Sequence, residues 1–417
     1  MEGRLIMKVV GIITEYNPFH KGHKYHIEEA KKITGADYLV AVMSGNFVQR
    51  GSPAIINKYD RAMMALNNGV DLVLELPVCY ATGSAQYFAL GAVALLNQLG
   101  IVDYLCFGSE CGNIKLLEDA AKLFYKSSES FDNILYSYIR KGLSYPAARE
   151  KAAKDLLKAD TQIISEPNNI LAIEYIRALL LLNSSIKPIT IKRNKAHYHD
   201  KELKNDISSA TAIRSILQNS KNPAEFSPVK NSVTNCVYDY FIKNYNRRFP
   251  ITMEDFSSII KYKLTYESNR KLTEYLDLSS DLVDRIKNID IQNYDIESLM
   301  QIIKSKNITL TRVSRALIHI LLNIKKKDFK EYIDDEIIYY GRILGMKKEA
   351  SHLIRKIKEY ERIPIITKVS KADKQLSSLG MSMLNQDILA SHLYNQVVFE
   401  KFKISIPNEF KHGICIL

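Results

Sequence analysis

The chain has 417 residues, 46% of them apolar and 25% charged, with a formal net charge of +12. That length excludes a single small domain and leaves room for two, one of them large enough for a full sheet-and-helix core. No stretch reaches the ~18–20 uninterrupted apolar residues of a membrane span, and the start lacks an apolar signal segment, so a cytoplasmic protein without membrane contact is expected.

In chain order, residues 9–13, 38–43, 71–76 and 104–107 are short apolar runs separated by helix-length segments. Buried parallel strands joined by helices have this pattern. The punctuation agrees: Gly35 to Asp37 closes the first helix, Ser44 to Pro53 is a long loop, and Pro77 follows the third run. An apolar helix over 170–182 and a last strand over 188–192 extend the sheet to about residue 192. The expected fold is α/β, a Rossmann-like doubly wound parallel sheet with its site at the carboxyl ends of the strands.

After Asn219-Ser-Lys-Asn-Pro223 the alternation stops. Helix-period segments follow at 233–245, 253–264, 282–289, 310–324 and 334–344, while 364–417 reads equally as short strands or helices. This divides the chain into a sheet-and-helix domain at 7–222 and a mainly helical, basic domain at 223–417. Between Gln301 and Lys330, Lys304, Lys306, Arg312, Arg315, Lys325, Lys326, Lys327 and Lys330 face one acid, Asp328. That stretch alone contributes +7 of the +12. A polyanion such as RNA would be drawn to it, and a solvated basic face is the competing reading.

Two motifs carry chemistry. Thr14-Glu-Tyr-Asn-Pro-Phe-His20-Lys-Gly-His23 closes the first strand and opens a helix, the order in which α/β proteins build a nucleotide phosphate site. Its two imidazoles can face one anion while Gly22 lets backbone N–H groups approach. The second motif, Ser208-Ser-Ala-Thr-Ala-Ile-Arg214, sets Ser209 and Thr211 at a helix start with Arg214 in its first turns, suited to holding phosphates. By itself it is also a plain N-cap with a surface arginine. Together the motifs read as two halves of one ATP site.

These residues resemble the HIGH-motif nucleotidyltransferase superfamily, and more closely the bacterial tRNA(Met) cytidine acetate ligase family. The resemblance runs through Gly11 to His23, Met43 to Pro53, Phe107-Gly-Ser-Glu110, Pro167-Asn-Asn-Ile-Leu171, Ile191-Lys-Arg193, His197-Tyr-His-Asp200 and Ser208 to Arg214. It implies an ATP-dependent ligase. Acetate is activated as acetyl-adenylate, and the acetyl group passes to N4 of the wobble cytidine, position 34, of elongator tRNA(Met). It further implies that Ile13, Thr14, Glu15, Tyr16, Asn17, Pro18, Phe19, His20, Lys21, Gly22, His23, Lys24, Tyr25 and His26 line the ATP. Gly108, Asn168 and Arg193 complete its pocket. His20 and His23 would act catalytically, stabilising charge on the α-phosphate, and Arg193 and Arg214 would hold the departing phosphates. Lys304, Lys306, Arg312, Arg315, Lys325, Lys326 and Lys327 are the candidates for tRNA contact. Mg²⁺ is the expected companion of ATP, without assigned protein ligands.

Two departures set the chain apart from adenylyl- and cytidylyltransferases: Glu15-Tyr-Asn-Pro-Phe stands for Gly-x-Phe-Asp-Pro, and Ala210 replaces a serine. A nucleotidylyltransferase acting on a small phosphate ester remains the alternative enzyme, and a non-catalytic RNA-binding protein with a relict ATP site the alternative from another class. His20, His23 and His26 at spacing three lack a nearby carboxylate or cysteine partner for a metal. Lys368-Val-Ser-Lys371 imitates a synthetase phosphate loop but lies far past the sheet. The five cysteines, Cys79, Cys106, Cys111, Cys236 and Cys415, include no Cys-x-x-Cys pair and read as free thiols.

Overall fold

The structure, a computed structural model, describes residues 7–125, 129–143, 145–157, 162–193, 209–360 and 362–417. Five strands, Val9–Thr14 (β1), Tyr38–Ser44 (β2), Leu72–Leu76 (β3), Tyr104–Ser109 (β4) and Lys187–Lys192 (β5), form a parallel sheet in the order β3-β2-β1-β4-β5. The order reverses at β1, so the crevice beyond its carboxyl end, where Thr14 leads into the first motif, is the topological switch point.

The strands alternate faces in the way a doubly covered sheet requires. On β2, Leu39, Ala41 and Met43 join one buried layer and Val40 and Val42 the other. The first layer packs on helices Lys21–Thr34 (α1), Lys58–Asn67 (α2) and Ala210–Asn219 (α3), through Ile27, Ala30, Ala62, Ala65, Ile213 and Leu217. The second is covered by the helices at Ala85–Gln98 and Pro167–Leu181 and continues into the helical region after residue 250. Each aliphatic side chain so enclosed contributes roughly 1.5–3 kcal/mol relative to exposure.

The sheet does not end near residue 192. Gly341–Met346 (β6) returns to it and lies antiparallel on β3, and Ile365–Ile366 and Cys415–Ile416 extend it to eight strands along the outer edge of β6. The helix expected over 334–344 is corrected accordingly: a helix ends at Asp334 and the strand begins at Gly341. All six residues of β6 are buried, and a strand buried on both faces gives a continuous apolar run with no alternation to separate it from helix.

A buried ionic network fastens β6 to the sheet. Glu75 of β3 sits opposite Arg342 of β6 in the ladder and pairs with it at 3.1 Å. The ammonium of Lys58 lies 2.8 Å from Glu75 and 3.2 Å from Glu409, and Arg342 also pairs with Glu409. Charges this deep are tolerated because each faces an opposite one. Nearby, Asp387 accepts from Val78 N–H at 2.7 Å and from the Tyr340 hydroxyl at 2.6 Å. Burial, with Glu75 beside it, pushes the Asp387 carboxyl up to about 7.

Candidate active site

At the end of β1 the chain turns sharply, with buried Tyr16 in the left-handed region at φ 48°, a conformation costly for a bulky residue unless its surroundings fix it. Arg61 of α2 supplies much of that fixing. Fully buried, it donates to the carbonyl of Ile56 at 2.9 Å and to the carbonyls of Glu15, Ser44 and Gly45, tying the exit of β1 to the exit of β2. Asn17 accepts from Ile55 N–H at 2.9 Å, and Glu15 accepts from Gln49 N–H at 2.9 Å.

The turn delivers His20 as the N-cap of α1. Its Nδ1 accepts from Gly22 N–H at 3.0 Å, while the Nδ1 of His23 accepts from His20 N–H at 3.2 Å, a reciprocal capping box made from two imidazoles. An accepting Nδ1 carries no proton, so both rings are the tautomer with the proton on Nε2. The rings stack with centroids 3.7 Å apart. Gly22 is required by contact: a Cβ there would lie 2.8 Å from His20 Cε1.

Both imidazoles are held neutral. Burial, then the Arg193 and Arg214 cations, lower His20 to about 4, and it is only 6% exposed. Burial and the neighbouring His20 hold His23 well below the usual range. His26, one turn on, is lowered to about 4 by burial and Arg193, and its Nε2 has no hydrogen-bond partner among the described residues. The site therefore offers neutral N–H donors among arginines.

The other elements converge from the strand ends. Arg193, just past β5, donates to Asn168 Oδ1 at 2.9 Å and packs over Gly108, where a Cβ would meet its Cγ at 3.0 Å. Glu110 in turn accepts from the N–H groups of Asn168 and Asn169 at 3.2 and 2.8 Å and from the Asn168 amide, while Asn169 accepts from Glu110 N–H at 3.0 Å. From the second motif, Ser209 caps α3 by accepting from Ala212 N–H at 3.2 Å. Arg214 donates to Thr211 Oγ1 at 3.1 Å and to the Asn17 carbonyl at 2.6 Å. The two motifs, about 190 residues apart, are thus joined directly. Ser208, His197 and His199 lie outside the described residues.

Not every residue expected at the ATP is in this cluster. Lys21, Lys24 and Tyr25 are exposed on α1; Lys24 pairs with Glu28 at 3.8 Å, and Tyr25 is 48% exposed. Ile13, Thr14, Pro18 and Phe19 form the chain entry around the imidazoles, with Phe19 5.5 Å from the His23 ring. No site role for Glu110, Gln49 or Arg61 is read from the sequence, although Glu110 and Gln49 fall in runs that carry the resemblance. Arg61 carried little signal, because its helix also holds Lys58 and Asp60.

The basic stretch divides into spent and open charges. Arg315 donates to Asp277 at 2.8 Å, Arg312 to the Asp277 carbonyl, Lys325 to Glu274 at 3.1 Å, and Lys326 to the carbonyls of Thr273 and Leu278. Lys304 and Lys306 are exposed and make no such bond among the described residues, and Lys327 reaches only Glu331, at 3.9 Å.

A Rossmann-type sheet whose switch point presents paired imidazole donors at a helix start, flanked by arginines, defines a nucleotide-binding protein of the HIGH class. The comparisons agree with this geometry: the HIGH Nucleotidyl Transferase family model matches residues 7–408. A tRNA(Met) cytidine acetate ligase from Acetivibrio thermocellus is 41% identical over 415 residues, 99% of this chain and 100% of its own. One from Halothermothrix orenii is 40% identical over 405 residues, 93% of this chain and 94% of its own. Crystal structures of Thermotoga maritima TmcAL superpose with a TM-score of 0.90 without ligand (30% identity) and 0.88 bound with alpha-thio ATP (29% identity). Each alignment covers 99% of this chain and 100% of the other. The chain belongs to the tRNA(Met) cytidine acetate ligase family of HIGH nucleotidyl transferases.

Proposed function

We propose that this chain uses ATP to acetylate a cytidine of tRNA(Met), with acetate as the acyl source, in the cytoplasm. The observation that carries the reading is the pair of neutral Nε2–H donors of His20 and His23 beside Arg193 and Arg214, in a chain about 40% identical to named ligases along nearly its whole length.

An acetate oxygen attacks the α-phosphorus of ATP, the bond to pyrophosphate breaks, and acetyl-adenylate forms. The imidazole N–H groups stabilise the charge developing on the α-phosphate oxygens without having to give up or gain a proton. Arg193, oriented by Asn168, and Arg214, anchored on Asn17 and Thr211, hold the departing pyrophosphate. The N4 amine of the wobble cytidine, position 34 of the elongator tRNA, then attacks the acetyl carbonyl; AMP leaves and the amine loses a proton to water. Mg²⁺ enters with the nucleotide. Phosphate oxygens and water would hold it.

Residues 7–222 would carry the nucleotide, and residues 223–417 would present Lys304, Lys306 and Lys327 to the RNA while lending strands to the sheet. Incubation with ATP, Mg²⁺, labelled acetate and bacterial tRNA, followed by nucleoside mass analysis, tests the reading. Label in N4-acetylcytidine that requires both ATP and acetate supports it. Unlabelled tRNA despite ATP binding contradicts it and favours nucleotidylyl transfer to a small phosphate ester.

A further inference from the structure

Most aromatic rings of this chain are core, but two on the helix at Ser257–Tyr266 are not. Ile260 and Leu264 face inward and are buried, whereas Tyr262 and Tyr266, two positions further round, are 64% and 73% exposed. Their rings lie parallel, with centroids 5.7 Å apart and 11° between planes. Neither hydroxyl has a hydrogen-bond partner among the described residues. The spacing of four residues explains why the rings meet; it does not explain why a stacked apolar pair is left uncovered.

The surrounding charges favour an anion. Glu267, next to Tyr266 in sequence, is engaged by Lys263 at 3.5 Å and by the Tyr275 hydroxyl at 2.7 Å. Lys261, Arg270 and Lys271 make no side-chain hydrogen bond or ion pair among the described residues, and the two last are exposed. The helix is also rigidly mounted. Lys263 donates to the Ile320 carbonyl at 2.8 Å and to Asn323 at 3.0 Å, and Phe256, at its start, packs 5.5 Å from Phe47 in the loop following β2. A stacked, exposed aromatic pair with unpaired cations close to it in sequence suits an unpaired nucleotide: the base stacks, and the flanking phosphates meet the cations.

We propose that Tyr262 and Tyr266 form a platform on which an unpaired base of the tRNA substrate stacks, with Lys261, Arg270 and Lys271 holding the adjoining phosphates. The proposal rests on the reading of this chain as a tRNA-acetylating enzyme.

The test measures binding of labelled tRNA(Met) at fixed ionic strength by the full-length protein, its Tyr262→Ala/Tyr266→Ala variant and its Tyr262→Phe/Tyr266→Phe variant. Melting temperature and tRNA-independent ATP–pyrophosphate exchange are measured in parallel. The alanine pair should weaken binding by about tenfold to a hundredfold, the phenylalanine pair should bind like the wild type, and melting and exchange should not change. Unchanged affinity in the alanine pair overturns the platform, as does a phenylalanine pair as weak as the alanine pair. A changed oligomeric state with unchanged tRNA affinity would make the face a contact between copies and overturn it equally. A wild-type protein that binds no tRNA overturns the functional reading beneath it, a result distinct from all of these.

Discussion

The imidazole of His20 stacks on that of His23 at 3.7 Å, and each holds its Nδ1 against a backbone N–H of the same helix start. Local backbone bonding alone therefore fixes the proton of both rings on Nε2. A helix N-terminus already favours anions; here two side chains add directed donors to it without adding charge.

This neutrality makes stability depend on acid. An imidazole in an unfolded chain titrates near 6.5, while His20 and His26 are held at about 4 in the fold. A histidine with a depressed folded pKa leaves stability intact above about pH 6.5 and drains it as pH falls towards 4, because the unfolded chain takes up the proton first. Each contributes up to roughly 1.4 kcal/mol per pH unit in that window. Urea unfolding at pH 7 and pH 5 should show a smaller acid loss in His26→Gln than in the wild type. An equal loss would contradict the neutral-histidine assignment.

Gly108 keeps Arg193 in place by having no side chain. Gly108→Ala brings a methyl to 3.0 Å from Arg193 Cγ and 3.1 Å from its Cδ, so the Arg193 stem has to give by a few tenths of an ångström, which loosens its hold on Asn168. Steady-state kinetics should give a KM for ATP raised several-fold with a melting temperature close to the wild type's. An unchanged KM would remove Arg193 from the nucleotide site.

The basic stretch should respond unevenly. Replacing Lys304, Lys306 and Lys327 together by Ala should weaken tRNA binding and lower the salt dependence by about two to three units of slope. Arg315→Ala, which breaks the 2.8 Å bond to Asp277, should instead lower the melting temperature. Filter binding across a salt series, with thermal melts, distinguishes the two; a salt slope unchanged in the triple variant would place the RNA elsewhere.

The parts of this site that are contiguous in sequence were legible there. His20, Gly22 and His23 declare themselves by spacing, and Ser209, Thr211 and Arg214 by their place before a helix. The hydrogen bonds that assemble the motifs were not, because Arg214 and Arg61 act on carbonyls of Asn17, Glu15, Ser44 and Gly45, and a backbone carbonyl leaves no mark on residue identity. Nor could the run from Lys304 to Lys327 show that Arg312 and Lys326 bond to carbonyls of the protein or that Arg315 and Lys325 pair with Asp277 and Glu274, acids some 40–50 residues upstream. The parallel sheet was legible from runs such as Val40 to Met43, whereas β6, whose ladder partner lies some 270 residues upstream, looked like one more apolar helix.

The most direct measurement is acetate-dependent exchange of labelled pyrophosphate into ATP, without tRNA, by the wild type and His20→Asn. Asparagine is a favoured N-cap, so the helix start survives while the Nε2 donor is lost. The wild type should exchange only with acetate present, and the variant should lose about a hundredfold to a thousandfold at an unchanged melting temperature. Undiminished exchange in His20→Asn would contradict the central role given to the paired imidazoles.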